Sequence, residues 1–344
     1  QYMKSVSQPP NFSVKSSNCQ EIYILKFSQI ITDLFQEIFR HFVHLSLTAQ
    51  TNEPYPSRIY MVDKYTGGTG MKNGCKIAFV YIGLVIGAGF ASGQEIFQYF
   101  TMFSRTNAGG VVLAGLCFIL LAHLILGKTY RDGLTTFDEY IYAVAGRFTL
   151  PMRWFFRLYM FCGFFVMLAG SGALLHYAFG LNDIVGIVLM AVLCFIVFAF
   201  DVKGVVTLST VLVPLMIVGV FIICCLSLVV STPAFAPLQQ LKNNPAVSAL
   251  CYVSYNTITA GAVLVPLSRM LSPKSIRIGA VLGGGILGLL ILLVWMALSA
   301  HYELLIGSEI PLYSLAIMNG EGFKWVYSSV LIMAICTTAV SHGF

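Results

Sequence analysis

The run from Lys76 to Phe100 is apolar at both ends, yet its middle reads Gly87-Ala88-Gly89-Phe90-Ala91-Ser92-Gly93-Gln94-Glu95. Three glycines, a serine, a glutamine and a carboxylate sit where a membrane span is most apolar. Hydrocarbon offers no partner to free backbone N–H and C=O groups. Irregular backbone at that depth therefore persists only against protein or a watery cavity. Whatever this chain folds into must enclose or hydrate that segment.

Composition supports a membrane setting. Hydrophobic residues make up 58% and charged residues 10%, against roughly 25% charged in soluble domains, and mean hydropathy is +0.83. A polytopic membrane protein fits. A span needs roughly 20 residues to cross about 30 Å of hydrocarbon. On that rule eight spans are expected: 76–102, 109–127, 154–179, 183–200, 204–230, 246–269, 276–302, and an eighth from Phe323 still running at Phe344. An end inside a span reads as a truncation within helix 8, with the C-terminal helices missing. The nine cysteines show no CxxC pair or Cys/His metal spacing and read as reduced thiols.

Residues 1–70 form a polar N-terminal extension without the layout of a signal peptide. Met71 directly precedes Lys72 and is a candidate initiator, which would make the extension non-native or disordered. The alternative is a genuine tail with an amphipathic helix at 21–47, where Ile24, Phe27, Ile31, Leu34, Phe35 and Ile38 recur at helical spacing. Residues 71–344 are the transmembrane domain. With eight spans, eleven Lys and Arg fall on one side, Lys72, Lys128, Arg147 and Arg277 among them. Only Arg105, Lys242 and Lys324 fall on the other. The positive-inside rule then places the amino terminus in the cytoplasm. The net charge of +6 is a topology signal and gives no support to nucleic-acid binding. Between spans two and three, Asp138 to Val144 is expected to form a short cytoplasmic helix.

The sixth span repeats the anomaly of the first. Tyr252-Val253-Ser254-Tyr255-Asn256-Thr257-Ile258-Thr259-Ala260-Gly261 sits at its middle, with Pro266 beyond. These residues favour unwinding or a kink; the plainer alternative is a helix whose hydroxyls bond their own preceding carbonyls. Spans one and six open successive groups of five, as an inverted five-plus-five repeat requires. Gly109-Gly110 in span two and Gly283-Gly284-Gly285 in span seven allow close helix approach. Interrupted spans in corresponding halves point to a secondary transporter's binding site.

The stretch from Ile82 to Glu95, above all Gly-Ala-Gly-Phe-Ala-Ser-Gly-Gln-Glu, resembles the signature of the YkvI-like bacterial membrane proteins, relatives of the amino acid–polyamine–organocation superfamily. The resemblance covers about 72–344. It implies an all-α, leucine-transporter-type fold with discontinuous helices 1 and 6 in a bacterial plasma membrane. It also implies a small-molecule solute, such as an amino acid, held between the two breaks. Carried over from that fold, the substrate-facing amides are those of Ala88, Gly89 and Phe90. The sodium ligands are the carbonyls of Gly83 and Ile86 with hydroxyls among Thr337, Thr338 and Ser341.

From the residues themselves, a broken helix presents free amides at one new end and free carbonyls at the other. An anionic group suits the first and a cation the second. The expected binding set is Gly87, Ala88, Gly89, Phe90, Ser92, Gln94 and Glu95 with Tyr255, Asn256 and Thr257. Glu95 is costly at mid-bilayer and functional by default. It can bind a cationic group, carry a coupling proton, or cap the second half-helix. Sodium and proton both remain open as coupling ions, and no other cofactor is implied. His123, His176 and His301 read as satisfied or interfacial residues. No P-loop, HExxH, GxSxG or paired intramembrane carboxylates occur, so an enzyme is not expected. The expected function is ion-coupled secondary transport by alternating access. The alternative is a receptor or sensor that keeps the fold without moving solute. Oligomeric state is not legible.

Overall fold

A computed structural model describes residues 69–343, apart from 103–107, 231–243 and 309. The amphipathic pattern at 21–47 and the two basic residues Arg105 and Lys242 lie outside the described residues. All described elements are helical. The first is α1 (Thr69–Val85), followed by α2 (Ala88–Ser92) and α3 (Gln94–Ile96), which runs into a π-helical turn at Phe97–Thr101. Next come α4 (Gly109–Arg131), α5 (Phe137–Ala145), α6 (Thr149–Phe179), α7 (Asp183–Phe198) and α8 (Asp201–Val230). The remainder is α9 (Pro245–Leu264), α10 (Pro273–Ala300), α11 (Tyr302–Leu305), α12 (Pro311–Met318) and α13 (Glu321–Gly343).

Among the described residues, six stretches are long and apolar enough to cross a membrane: Gly109–Arg131, Phe137–His176 (which joins the short α5 to α6), Val202–Val229, Pro245–Ser268, Pro273–Ala300 and Gly322–Gly343. Two of the eight expected spans differ from this set. The first is divided among α1, α2 and α3, and the fourth is the 16-residue helix α7. The bundle turns large apolar side chains outward, Phe195 at 75% and Trp154 at 65% exposure among them. Such a surface is matched to lipid.

The second correction concerns the sixth span. The helix α9 is continuous through Asn256 and ends in a 3-10 turn, Val265–Met270. Its polar side chains turn back on their own helix. Ser254 donates to the Leu250 carbonyl at 2.5 Å, Asn256 to Tyr252 at 3.0 Å and Thr257 to Val253 at 2.7 Å. Each donor is satisfied without opening the backbone. Pro266 follows at the second residue of the 3-10 segment, where the α-helical ladder of α9 ends.

Small residues set the helix contacts. A Cβ on Gly284 would stand 2.6 Å from the Ile119 nitrogen of α4, and one on Gly283 would stand 2.9 Å from Tyr81 of α1. Gly115 and Gly288 face each other across α4 and α10, with a Cβ on either 3.0 Å from the other's Cα. The helix α10 thus lies backbone-close to both α1 and α4, as small residues permit in lipid. In the connection before α6, α5 is a separate short helix, with a capping box at Thr136 and Glu139. It ends at Gly146, whose φ is 50°. Asp138 of α5 meets Arg153 and Arg157 of α6, each at 3.1 Å.

Candidate functional site

The chain between α1 and α3 changes direction twice. Ile86 N is the last amide to reach back into α1, bonding Ile82 O at 2.7 Å, while Gly87 N turns to Val85 O at 2.8 Å. The ladder therefore stops before the Gly83 carbonyl. Gly87 is extended (φ −89°, ψ −170°). The first bond of α2 runs from Ala91 N to Gly87 O at 2.9 Å. The amides of Ala88, Gly89 and Phe90 and the carbonyl of Ile86 thus fall between the two helical ladders. Gly93 is left-handed, with φ 78°, a conformation open chiefly to glycine. A Cβ there would also stand 2.7 Å from Leu312 of α12.

Three side chains brace the segment. The buried Tyr327 of α13 donates to the Ala91 carbonyl at 2.5 Å. Ser92 donates to Gly89 O at 2.9 Å and accepts from Gln94 N at 3.3 Å. Ser248 of α9 donates to the Tyr99 carbonyl in the π-helical turn. Gly93 is the cap residue of α3, and Glu95 stands in its first turn.

Glu95 folds back over Gly89. A Cβ on Gly89 would stand 2.0 Å from Glu95 Oε1, 2.5 Å from Cδ and 2.7 Å from Cγ. The space that glycine leaves is taken by the carboxylate. Glu95 is half-buried as a residue, yet its Oε2 is enclosed and has no hydrogen-bond partner. The Tyr255 hydroxyl of α9 lies beside this carboxyl without reaching hydrogen-bond geometry. Tyr99, Tyr159 and Tyr252 are within electrostatic reach of it. The rings of Tyr99, Tyr252 and Tyr255 touch in pairs, with centroids 5.6, 5.8 and 5.7 Å apart. The enclosed hydroxyls of Tyr252 and Tyr255 are also unpartnered.

The expected residues are thus distributed. Glu95 and Tyr255 come together. Phe90 is fully buried, and Gln94 is exposed on the neighbouring turn. Asn256 and Thr257 are buried on α9, and their side chains donate to its own carbonyls. Of the residues carried over as sodium ligands, Thr338 of α13 lies against the interruption. A Cβ on Gly87 would stand 2.6 Å from its Oγ1. Thr337 and Ser341 are buried on α13, donating to Ala334 and Thr337 carbonyls. Gly83 faces Val213 and Ser209 of α8. The threonine and serine hydroxyls spend their protons on backbone carbonyls, which leaves oxygen lone pairs for a cation. Among the described residues, no group of three or more His, Cys, Asp and Glu could hold a metal.

Tyr99 and Tyr252 were not singled out from the sequence. Aromatic side chains in apolar spans read as core or belt, but Tyr99 is four residues from Glu95 and Tyr252 three from Tyr255. Those helical spacings put each on its partner's face.

No family model matches the chain. Two proteins of Bacillus subtilis (strain 168) are similar to it. The uncharacterized membrane protein YkvI is 28% identical over 271 residues, covering 78% of this chain and 78% of that protein. The uncharacterized protein YyaD is 28% identical over 275 residues, with the same coverage of each. The chain is a multi-pass membrane protein distantly homologous to these two.

Proposed function

We propose that this protein is a secondary active transporter of a small organic solute, of amino-acid size, working by alternating access at the interruption between α1 and α3. One observation carries the reading. A carboxylate with an unpaired oxygen lies beside irregular backbone in the first span and faces tyrosines of α9. In a membrane, charge and unpaired backbone of that kind are expensive and mark solute or ion pathways.

The leucine-transporter-type five-plus-five repeat belongs to the same proposal. The order of the spans and the paired glycine clusters support it, while the continuous α9 requires only the first span to be interrupted. Two coupling ions suit the residues. Thr338 beside Gly87 suits sodium, and Glu95 suits a proton. A sodium ion gains about 2.3 kcal/mol from each 100 mV it crosses. The basic residues segregated to one side of the spans favour a cytoplasmic amino terminus.

Purified protein in proteoliposomes is to be given radiolabelled amino acids and amines under a sodium gradient, a pH gradient, or neither. Saturable uptake that collapses with an ionophore is expected. Binding without flux under every gradient would make the protein a receptor. Neither binding nor flux would remove the reading.

A further inference from the structure

We propose that the corner where α5 meets α6 holds the headgroup of an anionic phospholipid, whose acyl chain lies along the outer face of α6. This lipid site is separate from the interruption between α1 and α3 and does not depend on solute being moved. Asp138 of α5 meets Arg153 Nε and one Arg157 nitrogen, each at 3.1 Å. The Arg157 side chain is 59% exposed, so the other donors of its fork remain open. Arg147, in the 3-10 turn Gly146–Phe148 just before α6, is exposed and lies 5.0 Å over the Phe148 ring. Among the described residues it enters no ion pair. The next acid, Glu139, is engaged with the Thr135 and Thr136 amides. Three arginines thus face one carboxylate.

Charge and shape together select the ligand. Leu150, Trp154, Leu158, Phe161 and Phe165 are exposed along α6, and their spacing by three and four keeps them on one helix face. Arg157 precedes Phe161 by one turn and stands at the edge of that face. At 1.5 Å per residue, Arg157 to Phe165 is about 12 Å, close to one leaflet of a hydrocarbon layer about 30 Å thick. The stretch that contains α6 is also the least enclosed of the six candidate spans, 22% buried against 39% to 78% for the rest. A phosphate matches guanidinium in charge and in geometry, and basic clusters beside spans suit anionic headgroups. The apolar strip takes the tail that a soluble anion lacks, and an indole such as that of Trp154 sits at headgroup level. A zwitterionic lipid brings its own cation, which would meet the arginines with like charge. An acidic protein loop would satisfy the arginines and leave the strip bare.

The test titrates the full chain in neutral detergent with phosphatidylglycerol, phosphatidylcholine or inorganic phosphate. Bound lipid is counted by native mass spectrometry, and thermal unfolding reads stabilisation. Saturable binding of phosphatidylglycerol is expected, lost in high salt, with phosphatidylcholine much weaker and inorganic phosphate without effect. Arg147→Gln and Arg157→Gln should each weaken it about fivefold, the contribution of one basic side chain beside an anionic headgroup. Phe161→Ala should weaken it about fivefold as well, through lost apolar contact. Arg277→Gln is the control: this exposed arginine of α10 belongs to the same basic side but not to the corner, and its loss should change nothing. Arg157→Gln also removes an ion pair to Asp138. Should it fail to fold, Arg147→Gln, which breaks no ion pair, decides.

An equal loss with Arg277→Gln would mean diffuse attraction to a basic surface and overturns the site. Phosphatidylcholine bound as tightly as phosphatidylglycerol overturns it too, as does lipid binding indifferent to Arg147 and Arg157. Stabilisation by inorganic phosphate equal to that by the lipid would make this a site for a soluble anion and remove the lipid.

Discussion

Gly89 and Glu95 form a unit in which one residue's missing side chain makes room for the other's charge. With Oε1, Cδ and Cγ all within 2.7 Å of where a Cβ would stand, no small rotation relieves Gly89→Ala. The carboxymethyl arm must leave. Moving it to a poorer rotamer costs about 0.5–1.5 kcal/mol, a modest loss for the fold. At the site the loss is larger, because the oxygen that faces Tyr255 is carried away. Gly89→Ala should therefore melt within a few degrees of the parent while solute binding disappears. Thermal unfolding and ligand titration on the same preparation check this; unchanged affinity would show that the position of Glu95 does not matter. Glu95 stood out in the sequence because a charge in an apolar run is expensive. Its filling of Gly89 did not, because side-chain direction at a chain reversal depends on backbone angles that residue types do not encode.

At the scale of elements, short helices are held by their ends. In α5 the Thr136 hydroxyl accepts from Glu139 N at 3.2 Å, and Glu139 Oε2 accepts from Thr135 N at 2.8 Å and Thr136 N at 3.2 Å. The Thr135 amide first, and then Thr136 and the Thr135 hydroxyl, hold the Glu139 carboxyl below its usual range. A carboxyl depressed in the folded state stabilises it fully above the unfolded value, and that contribution is lost as pH falls through the folded value. Acidification should therefore loosen α5 in the parent. Glu139→Gln keeps an acceptor oxygen and should respond less to acid. Losing the cap altogether costs about 0.5–2 kcal/mol, toward the lower end here because water competes at an exposed carboxylate. Amide hydrogen exchange over 137–145 across a pH series reads the difference, and identical profiles would discount the carboxyl. A short helix at 138–144 was expected from the sequence, but the Thr136–Glu139 cap that starts it was not singled out there. The unwinding expected of α9 was misread for a related reason. Ser254, Asn256 and Thr257 were weighed as helix breakers, but each reaches a carbonyl one turn back. Polar content alone does not separate a broken helix from one whose side chains bond back to it. In the first span, Gly87 and Gly93 supply no such side chain, and there the backbone departs from a single helix.

For the whole molecule, hydropathy located the spans because burial in lipid is a property of residue type summed over about 20 positions. It could not say which helices touch, since lipid tails are as apolar as leucine and contact is decided by shape. The glycines of α10 show how fine that decision is. Gly284 meets the Ile119 backbone, with a Cβ 2.6 Å from its nitrogen and 2.8 Å from its Cα, whereas a Cβ on the adjacent Gly285 would meet nothing within 4 Å. Backbone cannot swing aside as a side chain can, so Gly284→Ala must part α10 from α4 or strain both. Overpacking of this kind costs about 1–3 kcal/mol. Gly285→Ala meets no obstacle and gains helix propensity, up to about 1 kcal/mol. The two variants differ by one position and no chemistry, so their melting temperatures in detergent should move in opposite directions. If both melt alike, the close approach of α4 and α10 is not what holds the bundle together. Because α10 also packs on α1 through Gly279 and Gly283, prying it from α4 should reach the interruption at Gly87. Gly284→Ala should then weaken solute binding, which Gly285→Ala leaves intact.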